Sequence, residues 1–73
     1  MAKEVNAGYE IIRRERSGGV EIVLGHNPNA PEPYVTWKCK NGSDCYHGHY
    51  FFDEGRAIKD FNKRIREERE YGR

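Results

Sequence analysis

"CKNGSDCYHGHYFFD", residues 39–53, sets two cysteines and two histidines around Asn41-Gly42. The length of the turn there determines which side chains share a face. Asn-Gly is a strong signal for a two-residue hairpin turn. Side chains alternate across a strand, so one extra loop residue moves the whole returning strand to the other face. A two-residue turn opposes Lys40 to Ser43 and Trp37 to Tyr46. One face then carries Val35, Trp37, Cys39, Tyr46, Gly48, Tyr50 and Phe52. The other carries Tyr34, Thr36, Lys38, Lys40, Cys45, His47, His49 and Phe51. This sorting into a mostly apolar and a mostly basic, polar face favours the two-residue turn. It also separates Cys39 from Cys45, so that they share neither a metal nor a disulfide.

A three- or five-residue loop would instead gather Cys39, Cys45, His47 and His49 on one face, a ligand set suited to tetrahedral zinc. The spacing C-x5-C-x-H-x-H is not that of a familiar finger or ribbon, and this register sets lysines beside Tyr46 and Tyr50. The expectation is therefore no metal and no cofactor. Cys39 is read as a small buried hydrophobe, and His47 and His49 as outward strand residues.

Working outward, "YEIIRRERSGGVEIVLG" reads as two strands about Gly18-Gly19. Val20, Ile22 and Leu24 alternate as on a half-buried strand. Ile11 and Ile12 are adjacent, which leaves the register of this first hairpin open. "HNPNAPEP", residues 26–33, holds three prolines and is a connecting loop, since proline cannot donate to a ladder. "YVTWKCK" resumes the alternation. Trp37 is read as packing rather than ligand stacking, and Gly48 as admitting a bulky neighbour or marking a bulge.

Asp53 is a suitable helix N-cap, with Glu54 in the first turn. Ile58, Phe61 and Ile65, with Ala57, form one apolar stripe. Asp60–Arg64, Lys63–Glu67 and Arg66–Glu70 are opposite charges four apart, read as a solvated outer face; Gly72 is a plausible stop. The fold expected is α+β: a four-stranded antiparallel meander with one C-terminal helix packed on one face, ββββα. It is one domain over residues 9–71, with 1–8 and 72–73 as flexible ends. The expected core is Val20, Ile22, Leu24, Val35, Trp37, Tyr46, Tyr50, Ile58, Phe61 and Ile65.

A chain of 73 residues buries only about 60% of the surface its unfolded form exposes. Lys plus Arg number 13 and Asp plus Glu 12, a formal charge of +1, without the overall basic excess of a typical nucleic-acid binder. No apolar run approaches the ~20 residues of a membrane span. The N-terminus lacks the apolar core of a secretory signal. The expected compartment is the cytoplasm, where two cysteines stay reduced. There is no phosphate-loop or nucleophile-elbow motif and no identifiable nucleophile, so no catalytic residues are expected.

The remaining candidate is the polar sheet face. Lys38, Lys40, His47 and His49 lie there with Tyr34 and Phe51, and Arg14 and Arg16 extend it. Basic groups among aromatics suit phosphate and base contacts. The leading expectation is a non-enzymatic module contacting DNA through these residues. The alternative is a protein-interaction adaptor or homodimer using an edge strand or Tyr34 and Phe51; a zinc-stabilised domain comes third.

"WKCKNGSDCYHGHYFFDEGRAIKDFNKR" resembles two sheet-reading DNA-binding families, the plant ethylene-response-factor domain and the N-terminal domain of conjugative-transposon tyrosine recombinases. The likeness rests on Gly48, Phe51, Asp53, Ala57 and Phe61. It implies three antiparallel strands on the major groove with a helix behind. This chain differs in its extra first strand and balanced charge. "VLGHNPNAPEPYVTW" with the later "GHYF" and "DF" is similar to a family of short proteins of unknown role from Firmicute genomes and mobile elements. That implies a bacterial cytoplasmic protein.

Overall fold

The computed structural model describes residues 4–40 and 44–71. Five strands, β1 (Val5–Asn6), β2 (Tyr9–Ser17), β3 (Val20–His26), β4 (Tyr34–Lys40) and β5 (Asp44–Phe51), precede one helix, α1 (Glu54–Tyr71). The strands form one antiparallel sheet in chain order, β1-β2-β3-β4-β5. The α+β meander with a C-terminal helix is thus as expected, with one strand more. The added β1 falls in the segment read as a flexible end. Ala7 and Gly8 both take left-handed φ, 52° and 86°, as a two-residue turn between Asn6 and Tyr9 requires.

Ser17 pairs with Val20 across Gly18-Gly19, and Gly18 sits at φ 63°. The adjacent isoleucines are resolved by a bulge between Ile11 and Arg13. Ile11 packs inward while Ile12, the extra residue, is exposed. The proline loop is closed at its base by Asn27 N–H donating to the Pro33 carbonyl at 2.8 Å. Asp53 caps α1 as expected: its carboxylate accepts from Arg56 N–H at 3.2 Å, taking up one of the free amides of the first turn. The Asn41-Gly42 turn and Gly72 lie outside the described residues.

The second hairpin departs from the expected register. Lys40 pairs with Asp44 and Cys39 with Cys45, so three residues, not two, separate the strands. A second irregularity follows, a bulge opposite Trp37 between the pairs Lys38↔Tyr46 and Thr36↔His49. His47 there adopts φ 53°, the left-handed conformation that a non-glycine residue rarely takes. The longer loop shifts parity by one and the bulge shifts it again. Beyond the bulge, His49 and Phe51 therefore keep the face assigned to them from sequence. Cys45 and Tyr46 exchange faces.

The core is two layers, one on each side of the sheet. Ile22 and Leu24 pack with Ala57, Phe61 and Ile65 of α1, flanked by Val20, Tyr34, Phe51 and Ile58. On the other side Tyr9, Val23, Val35, Trp37 and Cys39 form a second cluster with Ile11, Ala30 and Cys45. Helix α1 thus covers the face of Thr36 and Lys38 rather than that of Val35 and Trp37. Ile22, Val23 and Leu24 are all fully buried, the pattern of a strand covered on both sides. Of the expected core, Val20, Tyr46 and Ile58 are only partly buried, and Tyr50 is 44% exposed.

Candidate functional site

Under α1, the half of the interface beside Phe61 and Ile65 is polar. Arg64 is only 4% exposed, and its guanidinium donates to the Thr36 carbonyl at 2.9 Å, Thr36 Oγ1 at 3.0 Å and the His47 carbonyl at 2.5 Å. One carbonyl is on β4 beside the β4–β5 bulge and the other belongs to the bulge itself, where the ladder is interrupted. Thr36 Oγ1 in turn donates to Asp60 Oδ2 at 2.6 Å, and His49 Nδ1 lies 3.0 Å from the same oxygen. Burial pulls the Arg64 guanidinium below its ordinary pKa, and Asp60, Glu67 and Glu68 pull back. Lys38 pairs with Glu68 of α1, and Ser17 donates to the Ile65 carbonyl at 2.8 Å. A buried charge is tolerated where its hydrogen bonds are complete. Among the described residues no buried side-chain nitrogen or oxygen lacks a partner.

Among the described residues no helix covers the opposite face. Its rings cover it instead. Tyr9 and Trp37 meet edge to face at 5.7 Å, Tyr9 and Tyr50 at 5.9 Å, and Trp37 and Tyr50 at 6.4 Å. Such edge contacts suit the ring quadrupoles. Tyr9 and Tyr50 stand three strand spacings apart, roughly 14 Å, so their side chains lean together over Val23 and Val35. Close approach is built in by glycine. A Cβ on Gly48 would lie 2.8 Å from Trp37 Nε1, and one on Gly25 3.0 Å from both Tyr9 and Val35. Tyr9 donates its hydroxyl to the Glu32 carbonyl at 2.9 Å, tying the proline loop over the cluster. Burial first, then Tyr50 and Glu32, pushes the Tyr9 pKa up.

Cys39 and Cys45 also belong to this face, joined in a disulfide with Cα atoms 3.9 Å apart. The expectations that they lie on opposite faces and that they stay reduced are therefore both overturned, the first because the connection has three residues. The same parity does not assemble Cys39, Cys45, His47 and His49. The bulge returns His49 to the helix-covered face, and the two sulfurs are bonded to each other. Among the described residues no three His, Cys, Asp or Glu side chains are placed to hold a metal ion, and no pocket is present.

The six cationic candidates divide. Arg14 and Arg16, opposite Val23 and Glu21, belong to the open face. Arg14 is held between Glu4 and Glu21, the latter at 2.6 Å; burial lowers its pKa, but the two carboxylates outweigh that and leave it raised. Lys38 and His49 belong to the helix-covered face, occupied by Glu68 and Asp60. Lys40 is exposed on that same side, 5.9 Å over the Tyr46 ring. His47 lies at the bulge with its ring 5.0 Å from Tyr46. Tyr34 and Phe51 pack toward α1 rather than standing free.

Asp60 and Arg64, read from sequence as a solvated pair, face the sheet. Their signal was position, because Ala57, Asp60, Phe61, Arg64, Ile65 and Glu68 recur at the spacing of one helix face. No described helix is long and apolar enough to cross a membrane. No protein-family model matches the chain, and neither does any curated protein or solved structure.

Proposed function

We propose that the chain is a small, non-enzymatic binding module whose partner docks along the outer edge of β5, and that its first partner is a second copy of itself. The observation behind this is a pair of exposed rings at the end of that edge. Tyr50 is 44% exposed and Phe52, just past the strand, 73%, beside a strand that has no neighbour beyond it among the described residues. Edge strands offer unpaired backbone groups, and an antiparallel pairing of β5 with β5 of a second copy is self-complementary about a two-fold axis. Light scattering across protein concentration should show a reversible dimer that Tyr50→Ser combined with Phe52→Ser returns to monomer. A wild-type monomer up to roughly millimolar concentration, beyond the weak end of specific association, would sink this reading.

A second reading, contact with duplex DNA, is favoured by one observation. Arg14 and Arg16 lie on the face opposite α1, the face that the sheet-reading families present to DNA. The bacterial cytoplasm is the compartment proposed for either reading. Binding to a DNA duplex that weakens steeply with salt, and is lost in Arg14→Glu with Arg16→Glu, supports it. No binding at low salt removes it.

A further inference from the structure

We propose that the Cys39–Cys45 bond is a reversible modification site, opened by a small-molecule thiol of the glutathione type that attacks Sγ of Cys45. The site stands on geometry and on neither reading of the partner. The two cysteines are directly opposed on adjacent strands, six residues apart. A disulfide stabilises chiefly by restricting the unfolded chain, and the gain grows with the loop it closes. This loop is short, and the ladder closes it independently through Lys40↔Asp44 and Lys38↔Tyr46. Arg64 holds the same hairpin from the helix side. The bond therefore does little as a staple, and the hairpin survives without it.

Its two ends differ in access. Cys39 has no exposed surface, whereas Cys45, on the edge strand, is partly exposed. Cys39 offers an external thiolate no surface, so attack falls on Sγ of Cys45. Attack there forms a mixed disulfide on Cys45 and sends the electron pair of the broken S–S bond to Sγ of Cys39, which takes up a proton. A second thiolate then attacks the small-molecule sulfur, releasing the symmetric small-molecule disulfide and the Cys45 thiolate, which is protonated in turn. The protein gains two electrons and two protons, and two thiols are oxidised to one disulfide. Once the bond opens, the sulfurs separate to contact distance, on the order of 4 Å. They do so within the cluster that holds Trp37, the chain's one tryptophan, so its emission reports the change.

The test titrates folded protein with reduced and oxidised glutathione, reading Trp37 fluorescence, helical circular dichroism and mass. The expected result is a reversible change in emission with helix signal and cooperative melting retained. Cys39→Ser should add one glutathione at Cys45, while Cys45→Ser, left with a buried thiol, adds none while folded. In the reduced wild type, an alkylating agent should label Cys45 at least about tenfold faster than Cys39, following thiol access. Resistance of the folded protein to millimolar glutathione, unfolding on reduction, or equal labelling of the two thiols would each overturn the proposal.

Discussion

The face of the sheet beneath α1 joins an apolar stripe to a layer of hydrogen-bonded charge, whereas the opposite face is apolar and aromatic and is covered by its own rings. On the first, Arg64 and Thr36 are buried and Asp60 is half-buried between helix and strands, with an exposed His49 at the margin. On the second, Tyr9, Trp37 and Tyr50 lean together beside Val23 and Val35, with no described element of secondary structure above them. The polar face is therefore not the solvent face. Polarity predicts exposure only when nothing satisfies the buried groups, and here a helix carries the complementary donors and acceptors. Large rings can in turn close an apolar layer without a covering helix, because each buries some 150–250 Å² of surface.

The sharpest way to break this contrast is Arg64→Ala. It strips hydrogen bonds from the Thr36 and His47 carbonyls and removes the buried charge that Asp60, Glu67 and Glu68 favour. A cost of about 3–5 kcal/mol is expected, against a total near 5–15 kcal/mol for a domain, and thermal melting should show a fall of more than ten degrees or outright unfolding. A loss under about 1 kcal/mol would mean that the polar layer is incidental.

The open face is tested next by Gly48→Ala. The new methyl meets the Trp37 indole at 2.8 Å, and such overpacking costs about 1–3 kcal/mol. Gly19→Ala is the matched control, since nothing lies within 4 Å of a Cβ there. It should be near neutral by chemical denaturation, and equal losses at the two glycines would remove the steric account of Trp37.

Tyr9→Phe is expected to cost about 1 kcal/mol through the lost bond to Glu32. It should also alter the alkaline limb. Because the folded pKa of Tyr9 is raised above 10, its phenol contributes stability that is complete below pH 10 and lost as pH rises through the folded value. Denaturant melts between neutral pH and pH 11 should therefore decline less steeply for Tyr9→Phe than for wild type. The smallest effect belongs to Lys38→Gln. The pair with Glu68 is at the margin of the polar layer and should contribute under about 1 kcal/mol, diminishing with salt.

Much of the architecture was legible in the chain. Gly18-Gly19, the proline loop, the Asp53 cap and the stripe Ala57, Phe61, Ile65 were all local signals, and each stands in the structure. The candidate surface was less legible. Lys38, Lys40, His47, His49, Arg14 and Arg16 were grouped by one assumed register, and the structure distributes them over two faces and a bulge. The consecutive burial of Ile22, Val23 and Leu24 was a signal for a sheet covered on both sides that strict alternation obscured.

By itself the sequence determined the order of β2 to β5 and the helix, where most turns fall and where the helix starts, because these depend on φ preferences, capping and periodicity within a few residues. Only the tertiary structure decided which face α1 covers, that Cys39 meets Cys45, and that Arg64 is buried. The cysteine pairing turns on one extra loop residue, and the bulge at His47 presents a carbonyl to the buried Arg64. Each reverses the parity of everything beyond it, and neither alters the local pattern from which parity is read.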